Sequence, residues 1–101
     1  MKKSGKNSEI LWLKFALLDL RDIREYISQD NPEAAGNVIS NIIDIVERLA
    51  MFSEMGKPGR VKNTRELVIP GLPYTVPYRV KGKRIEILRV LHQARKFPER
   101  L

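Results

Sequence analysis

The chain's only histidine, His92, lies in the stretch ILRVLHQARKFP (residues 87–98), between an apolar run and a basic tail. Histidine titrates near neutral pH, so His92 is a candidate general acid or base. Its neighbours Arg89, Arg95 and Lys96 could stabilise an anion but are poor bases. Two interpretations stay open: His92 ends a strand with one ring nitrogen bonded to the backbone, or it transfers protons.

Strict alternation along a strand would place His92 on one face with Leu88 and Val90. Arg89 would then share the opposite face with Ile87 and Leu91. A charge within an apolar strand is costly unless it is paired or faces an open groove, which makes Arg89 the most informative cation of the chain.

Positive charge is concentrated in the second half of the chain. Residues 1–55 carry 7 basic and 9 acidic side chains, whereas residues 56–101 carry 12 basic and 3 acidic ones. The imbalance favours contact with a carboxylate-rich or phosphate-bearing partner, although a solvated basic surface without a partner would have the same composition. The candidate cations are Arg60, Lys62, Arg65, Arg79, Arg89, Arg95 and Lys96.

Several classes of site are excluded or disfavoured by composition. The chain has no cysteine, so it has neither a disulfide nor a thiolate site, and one histidine makes a metal site unexpected. We expect no metal and no cofactor. No apolar run approaches the roughly 20 residues of a membrane-spanning helix, so we expect a cytoplasmic protein that does not enter a membrane.

Two helices are predicted in the first half. Apolar residues recur with helical spacing over residues 14–28, with Ala16, Leu20, Ile23 and Ile27 on one face and Asp19 mostly on the other. A second helix begins after Asn31, because asparagine caps helices and Pro32 fits the first helical position. It should run to about residue 52, and the short connection requires an antiparallel helical hairpin.

Strands are predicted around this hairpin, at residues 9–13, 64–69, 74–80 and 84–91. The last strand has apolar residues of both parities and is therefore predicted to be central. Tyr74 and Tyr78 alternate as core residues do, although either could stack on a base. Pro77 lacks an N–H, so its strand should be an edge or have a bulge there, and Lys81-Gly82 predicts a tight turn.

The predicted fold is therefore of the α+β class: an N-terminal strand, an antiparallel helical hairpin, then a mainly antiparallel sheet. We expect residues 1–8 to be a disordered lead and residues 9–101 to form one domain. Because the hairpin covers only one face of the sheet, the other face should be open and lined by the basic second half.

In the order and spacing of its motifs the chain resembles the RelE/ParE superfamily of bacterial type II toxins, and more closely the ParE branch. The resemblance covers residues 9–98 and rests on LWLKFALLDLRDIREYI, NPEAA, MGKPGR, TREL, YTVPYRV and above all IEILRVLHQARKFP. It implies the fold predicted above and a cognate antitoxin, encoded next to the toxin, that neutralises it.

The superfamily divides by mechanism. RelE-like members cleave mRNA on the ribosome, whereas ParE-like members inhibit DNA gyrase without known hydrolytic chemistry. The catalytic lysines and arginines of the RelE pattern fall at about Glu66, Val68, Thr75 and Gln93, and no tyrosine follows Tyr78. Phe97 could occupy the place of the missing aromatic acid or base, but without its chemistry.

The resemblance therefore favours a toxin that arrests growth by inhibiting gyrase, with no catalytic residues. Its alternative is a ribosome-dependent mRNA endonuclease that uses His92, Arg89 and Arg65; a basic nucleic-acid-binding module without toxicity is a third possibility. We expect Arg89, Arg95, Lys96 and Phe97 to contact the target. Arg65, Arg79 and Arg89 are expected to contact the antitoxin.

Overall fold

The computed structural model describes residues 8–101, so residues 1–7 of the predicted lead lie outside the described part. At Ser8, the backbone N–H donates to the Ala50 carbonyl at 2.8 Å. The helices are α1 (Lys14–Ser28) and α2 (Pro32–Glu47), followed by a 3₁₀ turn (Arg48–Ala50). The strands are β1 (Glu9–Trp12), β2 (Lys57–Pro58), β3 (Arg65–Val68), β4 (Tyr74–Lys81), β5 (Arg84–Ile87) and β6 (Leu91–His92).

The strands of residues 8–101 form one sheet in the order β1-β5-β4-β3-β2, with β6 also paired to β4. All pairs are antiparallel except β1 and β5. The predicted α+β class is confirmed, and β5 is central as predicted because it lies between β1 and β4. The short strand β2 is an addition, since its residues were predicted to lie in a loop.

Both helices pack their predicted apolar stripes against one face of the sheet. The core joins Ala16 and Leu20 of α1 with Ile42 and Val46 of α2 and with inward residues of β3, β4 and β5. The predicted start of α2 is confirmed: Asn31 Oδ1 accepts from the Ala34 N–H at 3.0 Å, and Pro32 follows at the first helical position.

The predicted end of α2, near residue 52, is wrong. The α-helix ends at Glu47. The N–H of Arg48 donates to the Ile45 carbonyl, only three residues back, and such bonds tighten the chain into a 3₁₀ turn. This turn places Leu49 fully in the core.

Tyr78 fastens the segment after α2 to the centre of the sheet. Its hydroxyl donates to the Ser53 carbonyl at 2.8 Å and accepts from the Gly56 N–H at 2.9 Å. Burial raises the pKa of Tyr78 above its usual value. The contact requires glycine, because a Cβ on Gly56 would lie 2.7 Å from the tyrosine ring. Tyr78 is therefore a core residue, as its alternation predicted.

The prediction of an open basic face is wrong. On the face of the sheet away from the helices, hereafter the far face, Glu66, Thr75, Pro77 and Glu86 are all buried. Residues 59–64 and the C-terminal tail cover part of it: the guanidinium of Arg60 lies 3.8 Å over the Phe97 ring. Glu66 on β3 and Glu86 on β5 explain this partial coverage. They pair with Arg60 and Arg79, two cations that would otherwise repel one another.

Candidate functional site

A bulge between β5 and β6 positions Arg89 and His92. Ile87 lies opposite Tyr78, but Leu91 lies opposite Thr75, so three residues on one strand span two on β4. The Leu88 N–H donates to the Pro77 carbonyl, and the missing N–H of Pro77 points to the same side of β4. The bulge thus lies where the proline could not have completed the ladder. An edge or a bulge was predicted for the strand of Pro77; a bulge is present at Pro77, but its extra residue lies on the facing strand.

The bulge also reverses the alternation expected for this segment. His92, rather than Leu91, lies opposite Tyr74 and so shares the face that the helices cover. The prediction that His92 shares a face with Leu88 is therefore wrong, because the extra residue shifts the register between them. The prediction of one continuous strand over residues 84–91 is also wrong, because the bulge separates β5 from β6.

Arg89 is held by a carboxylate from α1. Its Nε donates to Asp19 Oδ2 at 2.7 Å and its Nη2 to Asp19 Oδ1 at 3.0 Å. Asp19 Oδ2 also accepts the Val90 N–H at 2.9 Å. Hydrogen bonding to Asp19 raises the pKa of Arg89. This cation is therefore paired, and the carboxylate fixes the backbone of the bulge as well as the side chain.

The His92 ring has two defined neighbours. Its Nδ1 accepts the Ala94 N–H at 3.0 Å, and the ring meets Tyr74 edge-on with centroids 5.4 Å apart. One ring nitrogen is thus bonded to the backbone, as the structural interpretation expected. The bond turns the chain from β6 into the tail, because donor and acceptor are two residues apart.

A cleft of about 510 Å³ lies between α1 and the segment that runs from the bulge into the tail. Its lining includes Tyr26 from α1, Tyr74 and His92 from the sheet, and Arg95 and Lys96 from the tail. Burial raises the pKa of Tyr74, while the nearby Arg95 opposes that shift. The cleft therefore combines aromatic surface with cations on one side.

Arg65 does not belong to this cleft. Its guanidinium donates to the carbonyls of Gly56 at 2.9 Å and Glu54 at 3.3 Å. Arg65 lies opposite Tyr78 and His92 opposite Tyr74, on the two sides of β4. Four residues along a strand and two strand spacings separate their backbones by roughly 16 Å. The structure thus brings together His92 and Arg89 of the alternative catalytic set, but not Arg65.

The positions that correspond to the RelE catalytic cations meet on the far face. Val68 lies opposite Thr75, and Gln93 Nε2 donates to Thr75 Oγ1 at 3.3 Å. The adjacent Glu66 is 2% exposed. Its carboxylate accepts the Arg60 backbone N–H at 2.7 Å and the guanidinium at 3.0 Å. A buried carboxylate, paired with Arg60, therefore occupies the place where the RelE pattern would concentrate positive charge.

Ion pairing with an arginine lowers the pKa of both Glu66 and Glu86. Burial by itself raises the pKa of Glu66, but the hydrogen bonds from Arg60 outweigh it, so the pKa lies below its usual value. The Arg79 hydrogen bond lowers the pKa of Glu86. Arg79 is ion-paired to that carboxylate, so Arg79, like Arg60, has an acidic partner within the chain.

Sequence reasoning missed the contribution of α1 to the cleft. Asp19 was assigned mostly to solvent, and Tyr26 was not considered. A usable signal exists: Asp19 and Tyr26 are four and three residues from Ile23, so they lie at the edge of the apolar stripe. That edge could not be matched to residues 89–96 without knowing the packing of α1.

Comparisons with known proteins return toxins, under both ParE and RelE names. Residues 10–97 match the model of the ParE toxin of the type II toxin–antitoxin system parDE. A Sinorhizobium fredii protein named "Putative toxin Y4kP" is 42% identical over 90 residues, covering 89% of this chain and 93% of that protein. Toxin RelE2 of Caulobacter vibrioides is 32% identical over 88 residues, covering 87% and 98%.

Solved structures share the fold. The chromosomal ParDE toxin–antitoxin system of P. aeruginosa contains a chain with a TM-score of 0.78 and 32% identity, which covers 84% of this chain and 95% of that one. The RelBE2 toxin–antitoxin complex of Mycobacterium tuberculosis gives a TM-score of 0.65 at 17% identity, covering 93% and 100%. The second likeness concerns the fold alone.

The fold and the match over residues 10–97 place the molecule among the RelE/ParE-type toxins. Within that class, the chain belongs to the ParE toxin family of type II toxin–antitoxin systems. Neither helix in residues 8–101 has the length and apolar character needed to cross a membrane.

Proposed function

We propose that this toxin arrests growth by binding and inhibiting DNA gyrase, without bond-breaking chemistry of its own. The observation that carries the proposal is the buried carboxylate of Glu66 on the far face, which is paired with the partly exposed Arg60. Cleavage at a ribose 2′-hydroxyl needs cations around the phosphorane and groups that move protons. Because the Glu66 carboxylate is hydrogen-bonded to Arg60, this position supplies neither a free cation nor an accessible base.

In this proposal, the tail contacts the target. Arg95 and Lys96 are exposed and have no ion-pair partner among residues 8–101. Phe97 holds the tail against Arg60. Arg89, expected from the sequence to contact the target, holds the base of the tail through Asp19, so its role is to position that segment.

An antitoxin encoded next to the toxin should neutralise it, because the solved relative from P. aeruginosa is a toxin–antitoxin system. The expected contacts Arg65, Arg79 and Arg89 all have partners inside the chain, so charge there would mainly speed the encounter. Affinity would come from apolar anchors on exposed residues of β1 and α1, namely Leu11, Phe15 and Leu17.

The gyrase proposal is tested by a supercoiling assay with purified gyrase and by primer extension on translated message. We expect inhibited supercoiling, intact message, and loss of inhibition in an Arg95→Ala/Lys96→Ala variant. His92→Gln is the companion variant: it keeps a hydrogen-bonding group, so toxicity should largely survive.

A ribosome-dependent mRNA endonuclease remains the second candidate, and one observation favours it. His92 and Tyr74, two residue types that can transfer protons, meet edge to face beside an open cleft. Cleaved message in wild-type cells, together with a folded but non-toxic His92→Gln protein, would make this the function and refute gyrase inhibition.

A further inference from the structure

The cleft beside α1 has features that neither gyrase binding nor the family relationship explains. Tyr26 stands at its edge with 71% of its surface exposed, an unusual exposure for a large aromatic side chain. Tyr74 and His92 form an edge-to-face pair on the sheet side of the cleft. Arg95 and Lys96 line it from the tail.

We propose that this cleft binds single-stranded nucleic acid, with a base stacked on the exposed ring of Tyr26 and the adjoining phosphates held by Arg95 and Lys96. A volume of about 510 Å³ lies within the roughly 300–1,000 Å³ range of small-ligand sites. Exposed aromatic rings beside a basic track are how proteins bind single strands without reading their sequence.

The charges in the cleft suit a phosphate-bearing ligand. Asp19 is the innermost carboxylate, and the Arg89 guanidinium neutralises it through two hydrogen bonds. Asp22 lies at the rim, where Arg21 is within 3.3 Å. The cations of the tail therefore face a cleft whose acidic residues already have basic partners.

The cleft contains His92, which the endonuclease alternative would use, but it does not contain the positions of the RelE pattern. Glu66, Val68, Thr75 and Gln93 lie on the far face and none of them lines the cleft. The proposal involves no cleavage and does not depend on which target the toxin has. It shares only Arg95 and Lys96 with the proposed gyrase contact.

Fluorescence anisotropy with labelled oligonucleotides of about ten nucleotides, oligo(dT) and oligo(rU), tests binding to the full chain. We expect both to bind, because base stacking and phosphate contacts are common to DNA and RNA. Tyr26→Ala should weaken binding about five-fold or more, and Tyr26→Phe should restore it. Val80→Ala is the control, since Val80 is also an exposed apolar residue, at 42%, and does not line the cleft.

The phosphate contacts are tested by salt dependence. Arg95→Gln/Lys96→Gln should weaken binding and reduce the slope of log K against log salt by about 1.4, from about 0.7 for each contact on a single strand. Lys81→Gln/Lys83→Gln removes the same charge at the exposed β4–β5 turn and should leave the slope near the wild-type value.

Three results would overturn the proposal. Equal losses of affinity in Arg95→Gln/Lys96→Gln and in Lys81→Gln/Lys83→Gln would mean that a basic protein attracts the oligonucleotide diffusely. Unchanged binding by Tyr26→Ala would mean that no base stacks there. Binding of an acidic peptide, but of neither oligonucleotide, would assign the cleft to a protein partner. Because gyrase is absent from this assay, its outcome is independent of the supercoiling result.

Discussion

Removal of the Asp19 carboxylate should destabilise the protein well beyond the cost of a surface ion pair. The Asp19 and Arg89 side chains are only 16% and 26% exposed. Asp19→Ala would leave both the guanidinium and the nearly buried Val90 N–H without their acceptor. Breaking a fully buried pair costs about 3–5 kcal/mol, so partial exposure here suggests about 2–3 kcal/mol. For a domain of this size, that lowers Tm by roughly 10–20 °C.

Urea unfolding of wild type, Asp19→Ala, Arg89→Ala and the double variant isolates the pairwise contribution. We expect a coupling energy of about 1–2 kcal/mol, with m-values unchanged. Asp22→Ala is the matched control: it is on the same helix, its contact with Arg21 is largely exposed, and its cost should be below about 0.5 kcal/mol. A coupling energy near zero would refute the role of Asp19 in holding the bulge.

Three further predictions concern stability. Tyr78→Phe removes the bonds to Ser53 and the buried Gly56 N–H and should cost about 2 kcal/mol in urea unfolding; a loss below about 0.5 kcal/mol would contradict it. Pairing lowers the pKa of Glu66 in the folded protein. The pair therefore stabilises the fold above the unfolded-state pKa of Glu66, near 4.5. This stabilisation is lost as the pH falls through the lower pKa of the folded state. Glu66→Gln should therefore flatten the fall in Tm on acidification below that pH, and an unchanged profile would argue against the pair. Ile42→Asp buries a charge in the core at several kcal/mol and should abolish the cooperative melt in circular dichroism, whereas Ser40→Asp on the exposed side of α2 should not.

Much of the architecture follows from local patterns. The period of apolar residues identified the buried faces of α1 and α2, and Asn31-Pro32 identified the start of α2, because helix periodicity and capping depend on neighbours within a few residues. Alternation placed Tyr78 in the core. The missing N–H of Pro77 restricted that strand to an edge or a bulge, since a central ladder cannot tolerate the loss otherwise.

The sequence by itself determined the two helices, the strand-rich second half, its excess of positive charge and the resemblance to the ParE family. Tertiary structure alone decided where that charge is neutralised, because the partners are distant along the chain: Asp19 reaches Arg89 across 70 residues. One extra residue in the bulge then set the face of His92, since side-chain direction in a strand reverses with each residue of register. The far face is partly covered, where an open one was expected, and Glu66 and Glu86 on it each pair with an arginine. No local pattern records those pairings.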